Sequence, residues 1–273
     1  MLIKKTLTIA GSDASGGAGL EADLKTFQEY GTFGLAAITC IVTMDPDQNW
    51  KHNVTSFSAA LVEEQLKTIL SGQPVDALKT GMLGAVDIIE VAANAIKKGK
   101  INNVVIDPVM ICKGDDEVLQ PDSAEAIRDL LIPLAKVTTP NLFEAGQLSG
   151  SGTPKTLEEM QEAAEKIHSL GAETVVVKGG KALETQQATD VFFDGKTFIL
   201  LEAPKMDTPF NHGAGCTFAA AVTAGLAKGL STSEAVHAAK KFVTAAIRKG
   251  FRFNQFIGPV WHGAAREENE NFL

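Results

Sequence analysis

Short apolar segments alternate along the chain with longer stretches of helical periodicity, and this alternation limits the possible folds more than any other feature. Residues 104–106 (Val-Val-Ile) are wholly apolar, which is typical of a short strand buried on both faces of a sheet. Elsewhere apolar residues recur at helical spacing, as at Leu20, Leu24 and Phe27. Strands alternating with helices of about 10–15 residues indicate βαβ units and a mostly parallel sheet. The sequence therefore predicts an α/β fold.

The same patterns predict individual elements. Strands are expected at 7–10, 35–42, 77–79, 104–106, 137–139, 174–177, 188–193 and 197–201, and helices at 18–30, 59–70, 86–97, 157–170, 216–228 and 233–249. The first strand is expected to end at Gly11, and Asp194 with Gly195 predicts a hairpin that embellishes the sheet. We expect a single domain over 1–273, with a frayed tail from about 264 to 273.

Composition excludes several classes of protein. The net charge of −8 disfavours nucleic acid or an anionic membrane as the main partner. Three cysteines without a CxxC motif do not make a disulfide framework, so a reducing cytoplasm is expected. The sequence has no apolar run of about 18 residues and no signal-peptide pattern at its start, so neither a membrane span nor secretion is expected.

Polar or glycine-rich residues follow four of the predicted strands. They are the loop Gly11–Gly19, Asp107, Asn141 with Glu144, and Lys178. Because ligands bind beyond the carboxyl ends of the strands in open parallel sheets, these residues predict one binding site along that edge.

Each group also has a purely structural interpretation. The Gly11–Gly19 loop could be a flexible turn, since it lacks both the lysine of a P-loop and the third glycine of a dinucleotide fingerprint. Asp107 could end a strand in a turn, and Asn141 could cap the next helix with Glu144 at its third position. Lys178 ends a run of valines, so it is either buried or aimed at an anion, and we expect the latter.

The segment His212–Thr217 leads from glycines directly into a helix of small residues. Backbone N–H groups at such a helix start form an anion site at Gly213, Ala214 and Gly215. Cys216 lies at the same helix start, where its pKa is expected to fall enough for a thiolate near neutral pH, although a buried structural cysteine is the alternative. The histidines show no paired spacing for zinc, whereas carboxylates such as Asp107 and Glu144 suit Mg²⁺.

Together these motifs carry a family resemblance. Over about residues 4–250, the order and spacing of these motifs resemble those of the bacterial hydroxymethylpyrimidine (phosphate) kinases. That branch of the ribokinase-like superfamily also contains pyridoxal kinases. The segments that carry the resemblance are Gly11–Gly19 with 22–27, Lys79–Met82, Asp107–Val109, Thr139–Asn141, Glu144 with Ala145, and His212–Thr217. The resemblance implies a three-layer α/β/α sandwich, usually dimeric, that transfers the γ-phosphate of ATP to a hydroxymethyl group with Mg²⁺.

The resemblance also implies roles for individual residues. Gly213, Ala214 and Gly215 would form the anion hole, and Cys216 would be the base. Lys178 would contact phosphate, while Asp107, Asn141 and Glu144 would hold Mg²⁺ and phosphates through waters. Asp23 would hydrogen-bond the ring substituents of the acceptor. The other expected contacts are Gly11, Met44, Met82, Val109 and Cys112 on the acceptor side, and Thr208 on the nucleotide side.

One departure from the pyrimidine kinases bears on the substrate. Met44 stands where they usually carry a glutamine that reads the aminopyrimidine, and a thioether cannot form paired amide hydrogen bonds. This favours a vitamin B6 kinase over a hydroxymethylpyrimidine or phosphomethylpyrimidine kinase of thiamin synthesis. A non-catalytic vitamin-binding regulator on the same fold is a third alternative, which the presence of Cys216, Asp107 and Lys178 together disfavours. Residues 109–116 resemble a charged lid, in which we expect Cys112 to approach the pyridoxal aldehyde and add to it as a hemithioacetal.

Overall fold

Nine strands form one sheet in the part of the chain that the structure, a computed structural model, describes, which is residues 3–110 and 121–268. The strands are β1 (Lys5–Asp13), β2 (Phe33–Asp45), β3 (Lys51–Ser56), β4 (Ala77–Thr80), β5 (Val104–Ile106), β6 (Val137–Thr138), β7 (Val175–Gly180), β8 (Gln187–Phe193) and β9 (Phe198–Pro204). Their order across the sheet is β3-β2-β1-β4-β5-β6-β7-β8-β9. All neighbours from β2 to β7 are parallel, whereas β3 at one edge and β8 and β9 at the other are antiparallel. The prediction of a mostly parallel sheet is confirmed.

Helices cover both faces of this sheet. They are α1 (Gly19–Glu29), α2 (Ala59–Leu70), α3 (Val86–Gly99), α4 (Pro121–Ala126), α5 (Leu142–Ser149), α6 (Leu157–Ser169), α7 (Ala214–Ala227), α8 (Thr232–Arg248) and α9 (Ala264–Glu267). One apolar core lies between the sheet and α2–α6, and a second lies between the sheet and α1, α7, α8 and α9. The three-layer α/β/α architecture is therefore confirmed.

The apolar runs of the central strands follow from this layering. Val104 and Ile106 belong to the core beneath α2–α6, whereas Val105 between them belongs to the opposite core. Successive side chains of a strand point to opposite faces, and all three of these are fully buried. A strand covered by helices on both faces has no position at which a polar residue would meet solvent.

The strand order also opens a crevice at one edge of the sheet. β1 pairs with β2 on one side and with β4 on the other, so the order of the parallel strands reverses there. At such a reversal the connections leave the carboxyl ends of adjacent strands on opposite sides and part from each other. The glycine-rich loop after β1 and Gly81 after β4 both lie at this point.

Several predicted elements differ from the structure. β1 does not end at Gly11 but continues to Asp13 through a register shift between Ala10 and Ser12. A Cβ on Gly11 would lie 2.6 Å from the sulfur of Cys40, so a glycine is needed where this bulge packs against β2. The edge strand β3 was not predicted, because most of its residues are exposed and its sequence carries no apolar alternation.

Two further corrections concern the β8–β9 hairpin and the carboxyl-terminal tail. The β8–β9 hairpin is not an embellishment, because it completes the antiparallel edge of the main sheet. Its turn is held by Asp194, whose carboxylate accepts from the N–H groups of Lys196 and Thr197 at 3.0 and 2.8 Å. The tail does not fray at 264, since Ala264 and Ala265 are buried in α9; residues 269–273 lie outside the described residues. Among the described residues, no helix is long and apolar enough to cross a membrane.

Candidate active site

A cavity of about 470 Å³ opens at the carboxyl ends of the parallel strands. Most of the residues predicted from the sequence line it: Gly11, Met44, Met82, Val109, Asp107, Asn141, Glu144, Lys178, Thr208, Gly213, Ala214, Gly215 and Cys216. Cys112 and the rest of 111–120 lie outside the described residues, so the lid hypothesis stays a prediction. Asp23 is the one described candidate that does not line the cavity.

The start of α7 forms one wall of this cavity. Gly213 precedes the helix with φ +80°, and a Cβ there would collide with the carbonyl oxygen of Gly17, so only glycine fits. Thr217 holds the same residue from inside the helix, since its hydroxyl donates to the Gly213 carbonyl at 2.8 Å. No side chain caps the helix, which leaves its positive end facing the cavity.

Lys178 brings a positive charge to this helix start. A Cβ on Gly215 would lie 3.4 Å from the Lys178 ammonium, and the ammonium donates to Asp107 at 3.0 Å. Burial opposes the charge, but Asp107 and Glu144 outweigh burial and hold the pKa of Lys178 above its ordinary value. The hydroxyl of Thr139, which directly follows β6, donates to the same Asp107 oxygen at 3.0 Å. The ammonium and the α7 N–H groups together suit a phosphate group.

Asn141 and Glu144 form the capping box that the structural interpretation of these residues anticipated. Asn141 accepts from the Glu144 N–H at 2.9 Å, and Glu144 accepts from the Asn141 N–H at 2.8 Å. Both residues also line the cavity. Burial raises the pKa of Glu144 to about 7, with Lys178 opposing this rise and Asp107 adding to it.

Asp107 and Glu144 suit one particular type of Mg²⁺ site. Among the described residues no group of three or more His, Cys, Asp or Glu side chains is arranged to hold a metal ion. Asp107 and Glu144 both line the cavity beside Lys178, and Mg²⁺ is commonly held by one or two carboxylates together with substrate phosphates and waters. The donor set therefore fits Mg²⁺ brought with a nucleotide rather than a closed all-protein metal site.

Cys216 is not the thiolate that the sequence predicted. Burial raises the pKa of Cys216 to about 11, and the charges of Asp23 and Asp107 add to this effect. Lys79 and a hydrogen bond from the backbone of Gly19 act in the opposite direction without cancelling it. The helix start is present as expected, but desolvation of the sulfur outweighs it.

Asp23 and Lys79 form a buried ion pair, and Lys79 also lines the cavity. The Lys79 ammonium lies 2.9 Å from both carboxylate oxygens of Asp23, and neither side chain is exposed. Thr8 donates to the same carboxylate at 2.6 Å. Burial opposes the charge on Lys79, but Asp23 outweighs burial and holds the pKa of Lys79 above its ordinary value. Asp23 faces Lys79 and is 0% exposed, and its contact with the acceptor ring stays a prediction.

Sequence reasoning missed other polar residues of the cavity wall. Lys240 on α8 donates to Asp190 on β8 at 2.7 Å, and Asp190 accepts from the Gly180 N–H at 3.1 Å. His212 lies 2.8 Å from Asp13. A lysine within the apolar strand β4 was a usable signal for Lys79. Asp190 and Lys240 carried no such signal in the sequence, because neither stands at a characteristic spacing from a motif.

Comparisons with known proteins agree with this geometry. The family described as phosphomethylpyrimidine kinase matches residues 13–261. A pyridoxine kinase of Bacillus subtilis is 57% identical over 266 residues, which are 97% of this chain and 98% of the relative. A hydroxymethylpyrimidine/phosphomethylpyrimidine kinase of Bacillus subtilis is 40% identical over 271 residues, 99% of each chain.

Two solved structures have the same fold. A pyridoxal kinase of Bacillus subtilis, solved as an ADP complex, has a TM-score of 0.94 at 57% identity, with 97% of this chain and 99% of that chain covered. A pyridoxal kinase of Staphylococcus aureus, in complex with AMP-PCP and pyridoxal, has a TM-score of 0.92 at 50% identity, with 97% and 96% covered. The resemblance inferred from the motifs is confirmed, and the chain belongs to the phosphomethylpyrimidine kinase family.

Proposed function

We propose that this protein transfers the γ-phosphate of ATP to the hydroxymethyl group of a vitamin B6 vitamer (pyridoxal, pyridoxine or pyridoxamine) and so salvages pyridoxal 5′-phosphate. The observation that carries the choice of acceptor is Met44, which lines the cavity where an aminopyrimidine kinase needs an amide. The greater identity to a pyridoxine kinase than to a hydroxymethylpyrimidine kinase, 57% against 40%, supports the same choice.

The two ends of the cavity fit two different substrates. Gly11, Met44, Met82 and Val109 come from the side of the sheet near β1, β2, β4 and β5, and we assign them to the ring of the acceptor. Thr208 lies beyond the opposite strands, and we assign it to ATP. The start of α7 lies between the two groups, where a phosphoryl group would pass from one substrate to the other.

Charge neutralisation at this midpoint is the main catalytic contribution. Phosphoryl transfer needs positioning and charge stabilisation more than covalent chemistry. The Lys178 ammonium and the N–H groups at Gly213–Gly215 supply positive potential to the transferring group. Asp107 and Glu144, with Asn141 beside them, would hold Mg²⁺ and the phosphates through waters. The ion, when bound, neutralises phosphate charge and orients the leaving group.

Cys216 handles the proton of the acceptor hydroxyl in this proposal. With a pKa of about 11 the sulfur is mostly a thiol near neutral pH, so its first role is to orient the hydroxyl. The fraction that is thiolate, favoured by Lys79 and the Gly19 backbone, accepts the proton as the hydroxyl oxygen attacks.

An ATP-consumption assay with pyridoxal, pyridoxine, pyridoxamine and hydroxymethylpyrimidine side by side tests the proposal. We expect a higher kcat/KM for a B6 vitamer than for the pyrimidine. The Met44→Gln variant should move this ratio toward the pyrimidine, whereas the volume-matched control Met44→Leu should not. Preference for the pyrimidine in the wild type would instead support the second candidate, a thiamin-pathway kinase, the activity after which the matching family is named. No ATP turnover with any of these acceptors would support the regulator alternative.

The remaining expectations complete the proposal. We infer a single domain, because the assigned residues run from Gly11 to Cys216 and meet at one cavity, and we place the protein in the cytoplasm. We also infer a homodimer, supported by apolar side chains left exposed on the edge strand β3 and on β2 beside it, Val54 at 38% and Ile41 at 39%. Light scattering after size exclusion would test the dimer.

A further inference from the structure

The carboxylate of Asp13 gathers a group of donors at the end of β1. One of its oxygens accepts from the Ser15 N–H at 2.8 Å. The other accepts from the Ser15 hydroxyl at 2.8 Å and from the Ala18 N–H at 2.9 Å. These bonds fold the first loop, residues 13–19, around a single side chain that is only 6% exposed.

His212 adds a bond from a distant part of the chain. Its Nε2 lies 2.8 Å from the same Asp13 oxygen, and its own backbone is fixed by Gly258 and Val260 at 3.0 and 3.1 Å. Since an ionised carboxylate can only accept, Nε2 must carry the proton. The imidazole therefore fastens the first loop to the residue that immediately precedes the anion hole.

The two loops touch closely wherever His212 holds them. A Cβ on Gly17 would collide with the His212 ring, and a Cβ on Gly213 would collide with the Gly17 carbonyl. The first loop ends at Gly19, the first residue of α1, and Gly19 and Cys216 both line the cavity. A shift of the first loop would therefore move a wall of the anion hole.

We propose that His212 is a positioning residue of the phosphoryl-transfer site: through Asp13 it holds the first loop against the start of α7 and so keeps Gly17 against Gly213 and the anion hole in register. This inference rests on the proposed function. Burial opposes the charge on Asp13, but the bonds from His212 and Ser15 outweigh it and lower the pKa of Asp13 to about 2. The acceptor in this link is thus ionised throughout the physiological range.

Three substitutions at 212 separate the hydrogen bond from packing. His212→Gln keeps an N–H donor near the position of Nε2, whereas His212→Leu is of similar size and His212→Phe keeps a ring, but neither can donate. We expect Leu and Phe to lower kcat by up to about 100-fold, the loss that a misplacement of about 1 Å can cause, with a smaller change in the KM for ATP. The His212→Gln variant should keep most of the kcat that the other two variants lose. The control His237→Leu, at an exposed position on α8, should leave kcat unchanged.

Nucleotide binding and hydrogen exchange keep the test independent of folding and of the substrate. Stoichiometric ATP binding identifies the folded variants, and in Leu and Phe the amides of residues 13–19 should exchange faster than in the wild type and in Gln. Exchange is measured without an acceptor, so it tests the positioning role even if the wild type phosphorylates no vitamer, a result that would refute the proposed function alone. Equal impairment by Gln and Leu, or unchanged exchange in Leu, would overturn the inference.

Asp13→Asn provides a second test, which does not need a folded His212→Leu variant. Asp13→Asn is nearly isosteric but turns an amide toward donors, so it should impair kcat and protection of 13–19 in the same way. When His212→Leu does fold, combining it with Asp13→Asn should cost little more than the larger single effect, because both changes break one link. Fully additive losses, or an Asp13→Asn variant with normal kcat and exchange, would contradict the proposal.

Discussion

Replacing Lys79 with methionine removes one charge from an ion pair that solvent does not reach. The ammonium of Lys79 lies 2.9 Å from both oxygens of Asp23, and both side chains are 0% exposed. Methionine is apolar and of similar length, so the main change is a carboxylate left with Thr8 as its remaining donor. Breaking a buried pair in this way costs about 3–5 kcal/mol of unfolding free energy. At about 2–4 °C per kcal/mol, the melting temperature should fall by about 6–20 °C.

Lys4→Met is the matched control. Lys4 pairs with Asp76 at 2.8 Å, nearly the same distance, but the two side chains are 42% and 21% exposed. A pair that water reaches is worth about 0.2–1 kcal/mol, so this substitution should cost several-fold less. Urea unfolding followed by circular dichroism measures both losses. Adding Asp23→Asn to Lys79→Met should recover part of the stability, since no buried carboxylate would remain.

The deficit of Lys79→Met should also depend on pH in a defined direction. Burial raises the pKa of Asp23, and without Lys79 this rise has less to oppose it. A folded carboxyl that binds its proton more tightly than the unfolded one stabilises the variant fully below about pH 4, the unfolded pKa. That contribution is lost as pH rises toward the folded pKa, so the deficit should grow between pH 4 and 7. Equal losses for the two lysine variants, or a deficit that does not change with pH, would refute this reasoning.

Three further predictions concern the cavity. Cys216→Ala should abolish most phosphoryl transfer, while Cys216→Asp retains part of it. The kcat/KM of the wild type should rise with pH below the thiol pKa of about 11, and in Cys216→Asp the rise should lie at lower pH, because an ordinary carboxyl titrates about four to five pH units below an ordinary thiol. Glu144→Gln should raise the Mg²⁺ concentration for half-maximal rate in an ATP assay, and Glu144→Ala should in addition cost about 1 kcal/mol in urea unfolding through loss of the cap. Gly213→Ala should eliminate turnover because its Cβ meets Gly17, whereas Gly229→Ala, at φ +93° in open space, should cost only about 1–2 kcal/mol of stability and leave turnover unchanged.

The sequence predicted the sheet because burial on both faces requires apolar runs such as 104–106, and no surface pattern competes with that signal. It did not predict β3, because this strand lies at the edge of the sheet and most of its residues face solvent and not a core. It placed the end of β1 at Gly11, since a glycine at a strand end and a glycine in a bulge look alike. The difference depends on Cys40, which lies far away along the chain.

In the candidate site, too, some features could be predicted from the sequence and others could not. Gly213, Asp107 and Lys178 were found because strand ends and helix starts fix where backbone and first side chains point. The state of Cys216 was not, since desolvation depends on how much protein surrounds the sulfur, which spacing does not reveal. The pairing of Asp23 with Lys79 was not predicted either, because the two residues are far apart in sequence and only the pairing of β1 with β4 brings them together.

The strand order divides the cavity between two stretches of chain. Walls near the end that we assign to the acceptor come from β1, β2 and β4, before residue 110, whereas walls near the end that we assign to the nucleotide come from β7 to α8, after residue 175. The two stretches meet where the first loop contacts His212 and Gly213. Such a layout lets acceptor preference diverge by changes within the amino-terminal half while the nucleotide half stays intact, and a chimera joined between the two stretches would inherit its acceptor from one parent and its handling of ATP from the other.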